Sequence, residues 1–171
     1  MIDIPTAVTN AEAVELSSLA SGKTVLEAGA LLGHSTVTLA LTAKHVVSVD
    51  PHEGYPEHDP RPTLQPFLDN LTRCGVRDKV TVCIGTHEDV FPYLDEDTFD
   101  LVFLDLTGRY EDTWDAMQRA IPLLTVTGVL AVHDCGHPEW PGVQQAVREF
   151  AEDTGIEPRL VDRLAVFRPY L

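Results

Sequence analysis

From end to end the chain alternates between short apolar runs and longer amphipathic stretches, and that alternation leaves few folds open. Residues 24–28, 45–49, 79–84, 99–104 and 126–132 read as strands, with Val80, Val82 and Ile84 alternating in the third. Between them, residues 10–20, 35–42, 64–74, 86–94, 111–121 and 141–151 read as helices. Ala13, Leu16, Leu19 and Ala20 share one face of the first, and Leu64, Phe67, Leu68 and Leu71 one face of the third. Thr9 or Asn10 is the expected cap of the first helix, and Thr63 the expected cap of the third. Residues 99–104 are almost continuously apolar, which a strand covered on both faces requires. Two short strand candidates, 157–161 and 164–168, close the chain around the tight turn at Asp162-Arg163. Strands regularly separated by helices imply a parallel sheet with helices on both faces. The expectation is an α/β three-layer αβα sandwich with a seven-stranded, mostly parallel sheet and its last strand antiparallel. It fills one domain, 1–171, with an N-terminal helical segment at 1–20 and a core at 24–171. Residues 52–62, rich in His, Pro, Gly and acids, read as a loop.

Composition narrows the partners. With 12 Lys+Arg against 27 Asp+Glu the formal charge is −15, which disfavours a nucleic-acid backbone or an anionic membrane as main partner. No apolar run approaches the roughly 18 residues of a membrane span. The start, MIDIPTAVTN, lacks the features of a signal peptide. Cys74, Cys83 and Cys135 are far apart and form no CxxC pair, which disfavours a zinc knuckle. These features together describe a reduced, cytoplasmic protein.

In an open α/β sheet the ligand sits beyond the carboxyl ends of the strands. After the first strand comes Glu27-Ala28-Gly29-Ala30-Leu31-Leu32-Gly33-His34-Ser35-Thr36, a glycine turn leading into a helix. Leu31 stands where a dinucleotide fingerprint needs its second glycine, and no G-K-[ST] follows, so neither that motif nor a P-loop is present. Asp50 ends the second strand, 21 positions after Gly29, the place of an acceptor for ribose hydroxyls.

The runs VLEAGALLGHSTVTLA, VVSVDPHEG, VTVCIGTHEDV, FDLVFLDLTGRYEDTWDA and LLTVTGVLAVHDCGHPEWPGVQQAV follow one another in this order. Together they resemble class I S-adenosylmethionine-dependent methyltransferases of Rossmann-like fold. The resemblance is greatest to the small-molecule O-methyltransferase branch that includes catechol and macrolide sugar O-methyltransferases. It implies that Glu27, Gly29, Ala30 and Gly33 hold the methionine part of S-adenosylmethionine. It places His34 and Ser35 at the helix N-terminus that meets the cofactor carboxylate, and Asp50 on the ribose. Pro51 and His52 would flank the adenosine, and Gly85, Thr86 and His87 would border the adenine. Asp105 would stand where sulfonium and acceptor meet.

The same resemblance implies the chemistry: transfer of a methyl group to a hydroxyl of a small molecule. In metal-dependent members of the branch, acids after the fourth and fifth strands hold the ion. Asp105 and Asp134 match them, a carboxylate pair suited to Mg²⁺. Cys135 stands where an amide or acid is usual, and thiol sulfur is a poor Mg²⁺ ligand, so the residues are compatible with a site with or without metal. Gly108 occupies the place of the usual histidine base. The catalytic candidates are therefore Asp105, Asp134, His133 and His137, imidazole being the commonest general base. His133 precedes Asp134 on its strand and has a plainer reading as a structural hydrogen-bonding group. These departures keep open a second reading, a cofactor-binding or scaffold protein that has lost the chemistry. The short N-terminal segment leaves the acceptor side open or completed by a second subunit in a homodimer.

Overall fold

The computed structural model describes residues 3–54 and 61–169. The loop read at 52–62 lies in good part outside them, at 55–60. Among the described residues the strands are β1 (Thr24–Ala28), β2 (His45–Asp50), β3 (Val80–Ile84), β4 (Phe99–Leu104), β5 (Leu124–Val132), β6 (Arg159–Val161) and β7 (Leu164–Phe167). They form one sheet in the order β3-β2-β1-β4-β5-β7-β6. The first five run parallel, and β7 is antiparallel to both of its neighbours, as the closing hairpin implied. The helices are α1 (Asn10–Ala20), α2 (His34–Thr42), α3 (Leu64–Arg73), α4 (His87–Val90), α5 (Tyr110–Ala120) and α6 (Pro141–Thr154).

Alternation along each strand divides the core into two layers. Val25, Leu101, Phe103, Val129 and Ala131 face one side, against Leu16 of α1, Leu39 of α2 and Phe67 of α3. Leu26, Val102, Leu104, Leu130 and Val132 face the other, against Met117 of α5 and Phe150 of α6. β4 is therefore packed on both faces, which is why its sequence is continuously apolar. The strand order reverses between β1 and β4, and the carboxyl ends of these strands open a crevice there.

One local expectation gives way in part: Thr63 stands at the N-cap position of α3, but its side chain makes no capping bond, its hydroxyl being engaged by His52 Nδ1 at 2.9 Å. The expected face of α1 does meet the core, with Leu16 and Ala20 buried and Ala13 and Leu19 partly buried, and Glu12 is buried beside them. Thr9 caps this helix in a reciprocal box, its hydroxyl accepting from Glu12 N and its own N–H donating to Glu12 Oε2 at 2.8 Å.

Candidate functional site

The carboxyl ends of β1, β2, β3 and β4 surround a cleft of about 410 Å³. Gly29 sits at its floor with φ +91°, and a Cβ there would lie 1.7 Å from the Asp105 carbonyl oxygen. The glycine is thus required first by the neighbouring strand: Asp105 N donates to Ala28 O at 2.8 Å, drawing β4 hard against the turn. Gly33 has φ +89° and caps α2, and a Cβ there would meet Phe67 at 2.8 Å. The first turn of α2 then presents His34 and Ser35 to the cleft.

Asp50 organises the turn. Its Oδ2 accepts from Ala30 N at 2.7 Å and Leu31 N at 2.8 Å, and its Oδ1 from His52 N at 2.6 Å. With roughly two lone pairs per carboxylate oxygen, Oδ2 is filled and Oδ1 keeps one acceptor position. Glu27 lies beneath this layer, wholly buried, its Oε2 accepting from Thr36 Oγ1 at 2.5 Å and Ser48 Oγ at 3.0 Å. Burial pushes its carboxyl up to about 7.

The cleft brings together Gly29, Ala30, His34, Ser35, Asp50, Pro51, Gly85, Thr86, His87, Asp105 and Asp134 from the sequence reading. It does not bring in Glu27, Gly33, His52, His133 or His137 as lining residues. His52 turns inward at φ +56° and packs 4.8 Å from the Phe67 ring, because Asp50 holds its amide and Thr63 its imidazole. His137 has its Nδ1 occupied by Glu139 N at 3.1 Å and its ring 6.1 Å from that of Trp140.

His133 is the centre of a buried charge cluster. Its Nε2 lies 3.2 Å from Glu12 Oε2, and its Nδ1 lies 3.2 Å from Asp105 Oδ1 and 3.5 Å from Asp134 Oδ1. Burial alone would push the imidazole down, but these carboxylates outweigh it and raise it to about 10. Burial likewise acts to raise Glu12, yet the His133 bond and the Thr9 and Arg163 amides bring it down to about 2. Asp134 is held above the usual carboxylate range by burial. With both nitrogens engaged and its side chain 1% exposed, His133 is not placed to take a proton from a substrate.

Residues 26–135 match the model of a family described as a methyltransferase domain. The chain belongs to this methyltransferase family. It is 35% identical over 117 residues to the catechol O-methyltransferase of Mycobacterium tuberculosis, a match covering 68% of this chain and 50% of the relative. The chain thus spans about half the length of the curated relative it matches. Among solved structures, cofactor-bound Rv0187 from MTB superposes with a TM-score of 0.79 at 26% identity, over 99% of this chain and 84% of that one. The O-methyltransferase TomG of Streptomyces achromogenes, involved in tomaymycin synthesis and solved in complex with SAM, shares the fold. Its TM-score is 0.74 at 20% identity, over 95% of this chain and 81% of that one. No helix among the described residues is long and apolar enough to cross a membrane.

In this member of the family the cleft fits a nucleoside-bearing cofactor. His34 Nδ1 is buried without a hydrogen-bond partner at the N-terminus of α2, a polar atom left over for a ligand. The acidic pair also fits a divalent cation: Asp105, His133 and Asp134 each bring one ligand atom within 4.8 Å of the others, and Asp134 Oδ1 is buried with no hydrogen bond. The sequence reading missed two parts of this region. One is the segment Pro5-Thr6-Ala7-Val8, which lines the cleft ahead of α1. The other is Glu12, whose place in the i, i+4 row with Leu16 and Ala20 was the available signal. Trp140 also lines the cleft, its ring seated so closely on Gly108 that a Cβ there would lie 2.5 Å from it.

Proposed function

We propose that this chain is an S-adenosylmethionine-dependent methyltransferase that acts on a hydroxyl of a small molecule. The observation that carries the reading is one cleft at the sheet's reversal point. It gathers the glycine turn, the N-terminus of α2, the acid ending β2 and the acid ending β4. The free N–H groups of the first turn of α2, with His34 and Ser35, receive the cofactor's carboxylate. Asp50 accepts one ribose hydroxyl through the remaining lone pair of Oδ1 while its other positions hold the turn in shape. Gly85, Thr86 and His87 border the adenine, and His87 is fixed by Asp115 at 3.1 Å.

S-adenosylmethionine supplies a methyl group already activated on sulfonium, so the protein's main task is alignment. Asp105, at the junction of the cleft and the charge cluster, accepts a hydrogen bond from the acceptor hydroxyl and orients its oxygen. Leu31, Leu106 and Trp140 give the acceptor side apolar walls. Asp105 and Asp134 would hold a divalent cation, which would lower the pKa of a coordinated hydroxyl. Cytoplasmic location is part of this reading, supported by three free cysteines. So is a homodimer that completes the acceptor side, which light scattering tests.

Calorimetry with S-adenosylmethionine and S-adenosylhomocysteine tests the cofactor, with dissociation constants expected between about 1 μM and 1 mM. Absence of binding at millimolar ligand overturns the reading. Binding should be accompanied by formation of S-adenosylhomocysteine with catechols or hydroxylated sugars. Tight binding without turnover across such a panel would favour the scaffold alternative.

A further inference from the structure

The metal centre implied by the resemblance lacks its third side chain, because Cys135 replaces an amide or acid. The structure shows where Cys135 goes: it lines a separate groove beside α6 and β6, and its amide bonds to Arg163 O at 2.9 Å. The side chain that approaches the two acids is His133. Its Nδ1 lies 3.2 Å from Asp105 Oδ1 and 3.5 Å from Asp134 Oδ1. Neighbouring ligands on an ion with bonds of about 2.1 Å stand about 3 Å apart. Both distances are close to those of neighbouring ligands on one ion, and the ligand atoms of all three residues lie within 4.8 Å of one another.

Backbone geometry explains how adjacent residues come to point the same way. Strand alternation sends His133 toward α1, and Asp134 would point the opposite way. Asp134 instead takes φ +64°, a left-handed conformation unusual outside glycine, and its carboxylate swings back beside the imidazole. The far nitrogen of His133 is also occupied as a metal-binding histidine requires. Nε2 meets Glu12 Oε2 at 3.2 Å, and Glu12, wholly buried, is pinned by Thr9 N and Arg163 N, each at 2.8 Å. A carboxylate behind the imidazole orients the ring and directs the opposite nitrogen to the ion. A proton on Nδ1 serves Asp105 alone and leaves the buried Asp134 Oδ1 without a hydrogen bond. One cation serves all three atoms.

We propose that His133 Nδ1 is the third protein ligand of a divalent-cation site with Asp105 and Asp134, positioned by Glu12. The imidazole moves the site's preference from Mg²⁺ to a first-row transition ion, since nitrogen ligands favour Co²⁺ or Zn²⁺ over the hard oxygen-seeking Mg²⁺. The role of the ion rests on the methyltransferase reading, whereas its binding does not.

The test uses the full, tag-free chain. Co²⁺, Mn²⁺ and Mg²⁺ are titrated separately by calorimetry, and ¹⁴N coupling to bound Mn²⁺ is read by pulsed electron paramagnetic resonance. The expected result is one Co²⁺ per chain, bound at least about tenfold more tightly than Mg²⁺, and a nitrogen coupling on Mn²⁺. His133→Asn should weaken Co²⁺ by on the order of 100-fold or more and abolish the coupling, and Glu12→Gln should weaken it about 10- to 100-fold. Circular dichroism and S-adenosylhomocysteine binding report whether these variants fold. Asp134→Asn provides a second variant should they fail, and it should weaken Co²⁺ binding at least about tenfold while any Mn²⁺ still bound keeps the His133 coupling. The inference is overturned if Co²⁺ does not bind, if Mn²⁺ binds without nitrogen coupling, or if folded His133→Asn binds Co²⁺ like the parent. It is equally overturned if folded Asp134→Asn binds Co²⁺ as tightly as the parent, which would move the ion to another group such as His87, Glu88 and Asp115. Cofactor binding without ion binding leaves the methyltransferase reading standing and removes this one; ion binding without cofactor binding does the reverse.

Discussion

Glu27 offers the sharpest test of the buried electrostatics. Its carboxyl is 0% exposed, Oε2 accepts two hydroxyls, and Oε1 is buried without a partner. Burial raises its pKa from 4.5 to about 7. The folded state therefore holds this proton where the unfolded chain releases it. Stability from this group is complete below pH 4.5, falls as pH rises, and reaches its minimum above about 7. At 1.36 kcal/mol per pH unit the whole cost is about 3 kcal/mol, of which about 2 to 3 kcal/mol falls between pH 5 and pH 8. Glu27→Gln keeps the shape and a carbonyl acceptor but cannot ionise. Urea denaturation of parent and variant at pH 5 and pH 8 isolates the group, because other titrations cancel in the difference. The variant should gain about 2 to 3 kcal/mol relative to the parent between the two pH values. A stability difference that is the same at both pH values would refute the reasoning, since Glu27 would then not change protonation on folding in that window.

Two further substitutions probe the cleft. Asp50→Ala leaves the Ala30, Leu31 and His52 amides without their acceptor, and S-adenosylhomocysteine affinity measured by calorimetry should fall about 10- to 100-fold, with unchanged affinity counting against the role of this acid. Gly108→Ala places a methyl 2.5 Å from Trp140 Cε3 at a φ of +79°, so the ring must move. Steady-state kinetics should show the acceptor KM rising while the cofactor KM holds, and equal changes in both would remove Trp140 from the acceptor wall.

Much of the architecture was legible because it is written at short range. Strand and helix periods follow from backbone geometry, so residues 99–104 announced a doubly covered strand and Thr9 announced a helix start. The Thr63 cap failed for a reason outside its own segment: His52, 11 residues earlier, claims the hydroxyl. Glu12 was overlooked for the same kind of reason. A charged residue in an apolar row is ordinarily turned to solvent, and it takes His133, 121 residues away, and the amide of Arg163, 151 residues away, to make its burial tolerable.

The sequence alone determined which residues end each strand, and hence that Gly29, Asp50, Asp105 and Asp134 would stand at one edge of a parallel sheet. Tertiary structure decided what those residues do there. The order β3-β2-β1-β4-β5 sets Gly29 against the Asp105 backbone and brings His133 beside Asp105. It also assigns three of the Asp50 acceptor positions to the protein's own amides. Periodicity depends on neighbours along the chain, whereas lone pairs, buried charge and ligand spacing depend on which strand ends the sheet places side by side.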